Sequence, residues 1–210
     1  KGKLIVIEGG DASGKATQVA LLTSRLLAEG VLVRQLNFPQ YEMNHVGQLL
    51  RECVNGERGD FIGLDPKISA VLFSVDRLES KNKIEGWLAA GNAVLLDRYS
   101  TANIIHQGAK VADPSTRRET INWIHRLEHE ILGLPLPDKI FTLPIPAEIR
   151  ARLRQEQNRT KGRHIDVADK DLAHQKLVDT VLSELSLVYS EVEAIEAVSG
   201  DTLKSPDEIA

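Results

Sequence analysis

The stretch Gly9-Gly10-Asp11-Ala12-Ser13-Gly14-Lys15-Ala16-Thr17, GGDASGKAT, decides the fold. It follows the phosphate-binding pattern G-x-x-x-x-G-K-[ST] until the last position, where Ala16 replaces a hydroxyl. Context gives such a motif its meaning. The apolar run Leu4-Ile5-Val6-Ile7 precedes it and reads as a buried strand, and a helix is expected from Lys15 to Glu29, stopped by Gly30. In that strand–loop–helix order the glycines let backbone N–H groups turn inward around an anion, and the helix N-terminus adds partial positive charge. Lys15 would reach the terminal phosphates of a nucleotide. The competing reading is an ordinary glycine-rich turn with a surface lysine. Ala16 removes a direct hydroxyl ligand for magnesium but leaves the backbone cradle and Lys15 intact. Thr17 stands one position too late to replace it simply. Asp11, in the loop, and Asp97, at a strand end, are candidates to hold the metal through water.

Outward from the loop, short apolar runs alternate with long amphipathic ones. Strands are expected at residues 31–38, 93–97 and 140–143, with a weak last one at 195–198. Helices are expected at 44–55, from Asp65-Pro66 to Gly91-Asn92, at 100–107, 115–132 and 148–157, and from about 170 to 191. In the Asp65–Asn92 segment, Ile68, Val71, Leu72, Val75 and Leu78 form an apolar stripe at helical spacing. Strands separated by helices imply an α/β fold, a parallel sheet covered on both faces. With no repeat, linker or low-complexity tract, residues 1–210 read as one domain. The chain is 42% hydrophobic and 27% charged, the balance of a soluble globular protein, and no apolar run is long enough to span a membrane. The N-terminal apolar run is too short for a secretion signal. A net charge of -4 argues against broad nucleic-acid binding. Cys53 is the only cysteine, which excludes an internal disulfide and fits a reducing compartment such as the cytoplasm.

A second set of residues suits a second ligand. Asp97-Arg98-Tyr99 leaves a strand at its C-terminal end, where ligands bind in open parallel sheets. An acid followed by arginine suits a magnesium–phosphate site, although a plain salt bridge reads equally well there. Phe73 and Arg77 lie four residues apart, share a helix face, and could stack and orient a planar base. The plainer reading is a core ring beside a surface cation. Arg150, Arg152, Arg154, Arg159, Lys161 and Arg163 concentrate positive charge. Residues 159–163 fall in an expected loop with a glycine hinge, suited to a lid over a transferring phosphoryl group. His125-Arg126-Leu127-Glu128-His129 matches the zinc-binding H-x-x-E-H pattern, but no third ligand is evident, and a solvent-facing helix is the alternative.

These pieces, taken in order, resemble the thymidylate kinase family of P-loop nucleoside-monophosphate kinases. The resemblance rests on IEGGDASGKATQ (7–18), FPQY (38–41), GERGDF (56–61), LFSVDR (72–77), LLDRYSTANIIHQGAK (95–110) and the basic segment. It implies a three-layer αβα fold with a five-stranded parallel sheet and a small arginine-containing lid at about 155–169. It implies ATP as phosphoryl donor, Mg2+, dTMP as acceptor, and a homodimer. Gly9, Gly10, Asp11, Ala12, Ser13, Gly14, Lys15, Ala16 and Thr17 would hold the donor phosphates. Phe73 would stack on thymine, and Arg77 and Asn103 would contact the base, with Gln107 a lesser candidate. Phe38 would line the acceptor site, and Arg98 and Tyr41 would hold the monophosphate. Lys15, Asp11, Arg98, Arg159 and Arg163 would carry the catalysis, with Asp11, Asp97 and Asp169 near the metal. Ala102 and His106 stand where serine and tyrosine are frequent in the family. The tyrosine is credited with excluding a ribose 2′-hydroxyl, so strict deoxyribose selectivity does not follow. Kinases of dUMP, UMP or CMP, and a nucleotide-binding protein with little catalysis, are the competing readings. A GTPase is disfavoured because Asn82-Lys83-Ile84-Glu85 only approaches the guanine-reading N-K-x-D motif and lies within a helix.

Overall fold

The computed structural model describes residues 1–161, 172–200 and 202–210, and side chains throughout these except 156–161 and 172. Its centre is a sheet of five parallel strands in the order β2-β3-β1-β4-β5. The strands are β1 (Lys3–Gly9), β2 (Val33–Asn37), β3 (Ala93–Asp97), β4 (Lys139–Leu143) and β5 (Val192–Ala194). Alternation along them sorts the core. Leu4, Val6, Val94 and Leu96 point to one face, and Ile5, Ile7 and Leu95 to the other. Both faces are covered by helices, which is why β1 and β3 are nearly continuous in apolar residues.

One face carries α3 (Pro66–Glu79), α4 (Lys81–Ala89), α5 (Ser100–Gly108), α6 (Pro114–Arg126) and α8 (Leu172–Glu184), and the other carries α1 (Lys15–Ala28) and α7 (Ala147–Lys161). Helix α2 (His45–Val54) forms a smaller cluster with α3 through Leu50, Cys53, Phe61 and Phe73. The C-terminal residues add a short antiparallel pair, β6 (Val198–Ser199) with β7 (Thr202–Leu203), and α9 (Pro206–Ile209). Cys53 is buried and free.

Several elements depart from the sequence expectation. The helix expected to run from Asp65-Pro66 to Gly91 is two helices divided at Ser80. Its apolar stripe is split: Ile68, Val71 and Leu78 are exposed and Leu72 and Val75 half-buried, while Ser69, Ser74, Asp76 and Arg77 are buried. The last sheet strand is 192–194 rather than 195–198, because it pairs with β4 from Ile140 opposite Val192. Helix α7 continues to Lys161, so Arg159 and Lys161 lie on a helix rather than in a loop. The run of Arg, Gln, Glu and Lys favours helix until Gly162. Helix α8 ends at Glu184, short of 191, and tightens into a 3-10 turn at Leu185–Leu187.

Candidate active site

The loop after β1 opens at the C-terminal edge of the sheet, where β1 lies between β3 and β4. Ala12 and Gly14 both take positive φ, 63° and 85°, which bends the chain around a concavity. Gly14 caps α1 with no side-chain bond, so the first N–H groups of the helix are left for a ligand. Lys15 is buried, and its Nζ donates to the carbonyls of Gly9 (3.0 Å) and Gly10 (2.9 Å). Burial, and then the neighbouring Arg98, lower its pKa to about 8. Ser13 is buried with Oγ unpartnered, beside the same turn.

Arg98 is the hinge between the loop and a larger cavity. It follows β3 with φ 66°, a left-handed conformation that a side chain adopts at a cost of about 1 kcal/mol. Its N–H is fixed by the Ile7 carbonyl at 3.1 Å. Its guanidinium pairs with Asp11 and donates to His106 Nε2 at 2.7 Å. Since arginine only donates, His106 accepts through Nε2 and carries its proton on Nδ1. Burial, then Arg98, push the His106 pKa down to about 3. Burial also works against the charge on Arg98, but Asp11, Glu8 and Asp97 outweigh it and raise its pKa.

Beyond Arg98 lies a cavity of about 290 Å3. It brings together Asp11, Phe38, Tyr41, Phe73, Arg77, Arg98, Asn103 and Gln107 from four separate stretches of sequence. Phe61, Ile62, His106, Lys110 and His174 complete much of the wall. Arg77 is not the surface cation of the plainer reading: it is 1% exposed, lies over the Phe38 ring, and donates to the Phe73 carbonyl at 2.6 Å. Asn103 Oδ1 and Gln107 Oε1 are buried acceptors without partners. Flat aromatic walls with a few unsatisfied polar atoms suit a planar heterocycle.

Asp97 ends β3 and is half-buried; it lies outside this cavity lining but acts on Lys15 and Arg98 through its charge. Asp11 and Asp97 are two carboxylates at the mouth of the phosphate loop. Magnesium is commonly held by one or two carboxylates, water and substrate phosphates, so the donor set fits that ion without an all-protein cage. No group of three or more metal-ligating side chains occurs among the described residues. Arg163 and Asp169 lie outside the described residues, as does the side chain of Arg159.

The H-x-x-E-H segment is neither a zinc site nor a solvent-facing helix. It ends α6 in a π turn over Leu127–Ile131. His129 uses both ring nitrogens, Nδ1 toward the Leu134 carbonyl and Nε2 toward the Tyr189 hydroxyl, each at 2.9 Å. Glu128 is fully buried, because it continues the inward stripe of Ile121 and Ile124. Two further charged residues have buried roles that the sequence reading did not assign. Glu8 is fully buried under the loop and accepts from Gly9 N–H and Thr101 Oγ1. Arg150, one of six cations in its stretch, is buried against Gly10 and bound to Ile145, Gln175 and Asp179. Only Glu8 had a local signal, as an acid closing an apolar strand.

A phosphate loop and an anchored arginine opening onto an aromatic cavity define a P-loop nucleotide kinase of the nucleoside-monophosphate class. Residues 7–191 match the family model "Thymidylate kinase", and the chain belongs to that family. A thymidylate kinase of Mycobacterium tuberculosis is 33% identical over 184 residues, 87% of this chain and 85% of that one. One of Leifsonia xyli is 35% identical over 162 residues, 76% of this chain and 71% of that one. The structure of a thymidylate kinase from Candida albicans has the same fold, with a TM-score of 0.68 at 24% identity over 93% of this chain and 83% of that one.

Proposed function

We propose that this chain transfers the γ-phosphoryl group of ATP to dTMP, giving ADP and dTDP. The observation that carries this reading is the shared position of Arg98, which joins the phosphate loop through Asp11 and lines the aromatic cavity. An acceptor phosphate at Arg98 and a donor phosphate at Lys15 would then meet. An oxygen of the dTMP phosphate attacks the γ-phosphorus, and the bond to the β–γ bridging oxygen breaks with its electrons leaving on ADP. The acceptor is already an anion, so no general base is required, and catalysis is positioning and charge neutralisation. Lys15 and the backbone of residues 9–17 hold the donor phosphates. Phe73 stacks on the base, Arg77 and Asn103 read its edge with Gln107 nearby, and Phe38 and Tyr41 close the acceptor side.

Residues 1–210 act as one domain whose segment at about 155–169 serves as lid, with Arg159 and Arg163 bringing cations to the transferring group. Mg2+ would be held by Asp11 and Asp97, with Asp169 a further candidate. When bound it would neutralise charge on the donor phosphates. Support for a homodimer comes from the exposed apolar face of α3, Ile68, Val71 and Leu78. No helix among the described residues is long and apolar enough to cross a membrane. The single cysteine and net charge of -4 support a cytoplasmic enzyme without nucleic-acid or membrane partners.

The test is ADP release measured with dTMP, dUMP, UMP and CMP, with and without magnesium. The fastest magnesium-dependent turnover is expected with dTMP. Equal or better activity on UMP would replace the thymidylate reading with that of a uridylate kinase. His106 makes UMP the decisive comparison, because it stands where the family's ribose-excluding tyrosine is frequent and is already engaged with Arg98.

A further inference from the structure

Glu128 touches no part of the cavity surface, yet it lies directly behind two of the side chains that form it. Its Oε1 accepts from Asn103 Nδ2 at 2.6 Å, sits 2.8 Å from Ser74 Oγ, and lies 3.7 Å from Arg77 Nη1. A side-chain amide can in principle turn either end toward a ligand. Here the orientation is forced. The atoms nearest the Asn103 nitrogen besides Ser74 Oγ are the Glu128 oxygen and the Ala70 carbonyl at 3.0 Å, both acceptors. The nitrogen therefore turns inward, and Oδ1 is left buried without a partner on a cavity-lining residue. Arg77 beside it can only donate. The wall thus presents an acceptor at Asn103 and a donor at Arg77. A 4-oxo pyrimidine offers the complement, an N3–H donor next to an O4 acceptor. A 4-amino pyrimidine offers the reverse, an N3 acceptor next to an amino donor.

We infer that Glu128 is a positioning residue for acceptor-base selection: by holding Asn103 and Arg77 from behind, it fixes a polarity that admits a 4-oxo pyrimidine and rejects a 4-amino one. This rests on the reading of the cavity as the acceptor-base site. It also accounts for a buried acid in the π turn that follows α6. Each buried hydrogen-bonding group left facing a like group is worth roughly ten- to a hundredfold in kcat/KM.

The experiment compares kcat/KM for dTMP, dUMP and dCMP in the wild-type chain and in E128Q, E128N and E128L, with a thermal melt of each. Gln keeps an amide oxygen within reach of Asn103 Nδ2, Asn withdraws it by one methylene, and Leu removes it. E128Q is expected to keep the dTMP:dCMP ratio within about threefold, while E128N and E128L lower it by at least about tenfold. The loss should fall mainly on KM, and dUMP should move with dTMP. A purely structural role would lower stability and reduce activity on all acceptors alike. An unchanged ratio in folded E128N or E128L overturns the inference, as does a ratio lost as fully in E128Q as in E128L. Should E128L fail to fold, E128N, which keeps a polar group, carries the comparison. A wild-type chain inactive on dTMP removes the acceptor-site reading and this inference with it. Activity on dTMP with an unchanged ratio in the variants removes only the role of Glu128.

Discussion

Lys15 carries a charge in an environment that resists it. Burial, then Arg98, lower its pKa to about 8 from an ordinary 10.5, although Asp11, Glu8 and Asp97 pull the other way. Below pH 8 the lysine is charged in both folded and unfolded chains, and the folded state bears the full burial penalty. Between about 8 and 10.5 the unfolded chain binds more protons, so this group makes stability rise with pH across that window. ATP affinity should move oppositely. A bound triphosphate restores the ammonium, so above pH 8 binding must take up a proton. The apparent Kd for ATP is expected to rise by up to about tenfold per pH unit above 8. Calorimetry in buffers of different ionisation enthalpy would register the uptake. A flat Kd from pH 7 to 9.5 with no proton uptake would contradict the role given to Lys15. His106, with its pKa near 3, stays neutral throughout and should add no step between pH 5 and 8. Lys15, Asp11 and Arg98 were legible in the sequence because each stands at a motif position whose spacing has a physical reason. Glu128 and Arg150 were not. The fate of a lone charge depends on partners that only the fold supplies, here Asn103 and Ser74 for one, and Gln175 and Asp179 for the other.

At the scale of elements, the phosphate loop is held from behind by α7. A Cβ built on Gly10 would overlap the Arg150 guanidinium. That guanidinium cannot easily yield, since it donates to the Ile145 carbonyl at 2.5 Å and to Gln175 Oε1 at 3.0 Å, and pairs with Asp179. Gly10→Ala is therefore expected to destabilise by about 1–3 kcal/mol and to weaken ATP binding. Gly86 supplies the contrast, because it lies inside α4 at ordinary φ with nothing within 4 Å of an added Cβ. Gly86→Ala should stabilise by about 0.5–1 kcal/mol. Urea unfolding of the two variants checks both signs, and a neutral Gly10→Ala would show that the loop is not braced by Arg150. The alternation of strand and helix was legible because β1, β3 and β4 are apolar runs bounded by glycine, acid or proline. The division at Ser80 and the early end of α8 were not, since neither has a glycine or proline at the break.

At the scale of the whole molecule, the two faces of α3 do different work. Its inward side carries buried Ser74, Asp76 and Arg77 beside Ala70, with Arg77 on the cavity wall and Asp76 accepting from Gln40 N–H at 3.1 Å. Its outward face is apolar, with Ile68, Val71 and Leu78 exposed, and Trp123 of α6 beside it under Lys67. This inverts the usual pattern of an amphipathic surface helix. The sequence showed the stripe only as residues sharing a side, because periodicity fixes which residues lie together but not what covers them. The inversion makes sense if a second copy of the chain covers that face. The wild-type chain should then sediment at twice 23.2 kDa at micromolar concentration, and Val71→Asp combined with Ile68→Asp should bring it to 23.2 kDa. Thermal midpoints should rise with concentration in the wild type and lose that dependence in the double variant. Because Arg77 and Phe73 lie on the same helix, loss of the partner should also weaken acceptor binding, raising KM for dTMP more than it lowers kcat. A wild-type chain that stays at 23.2 kDa would leave the apolar face of α3 without an occupant and remove the dimer from the proposed function.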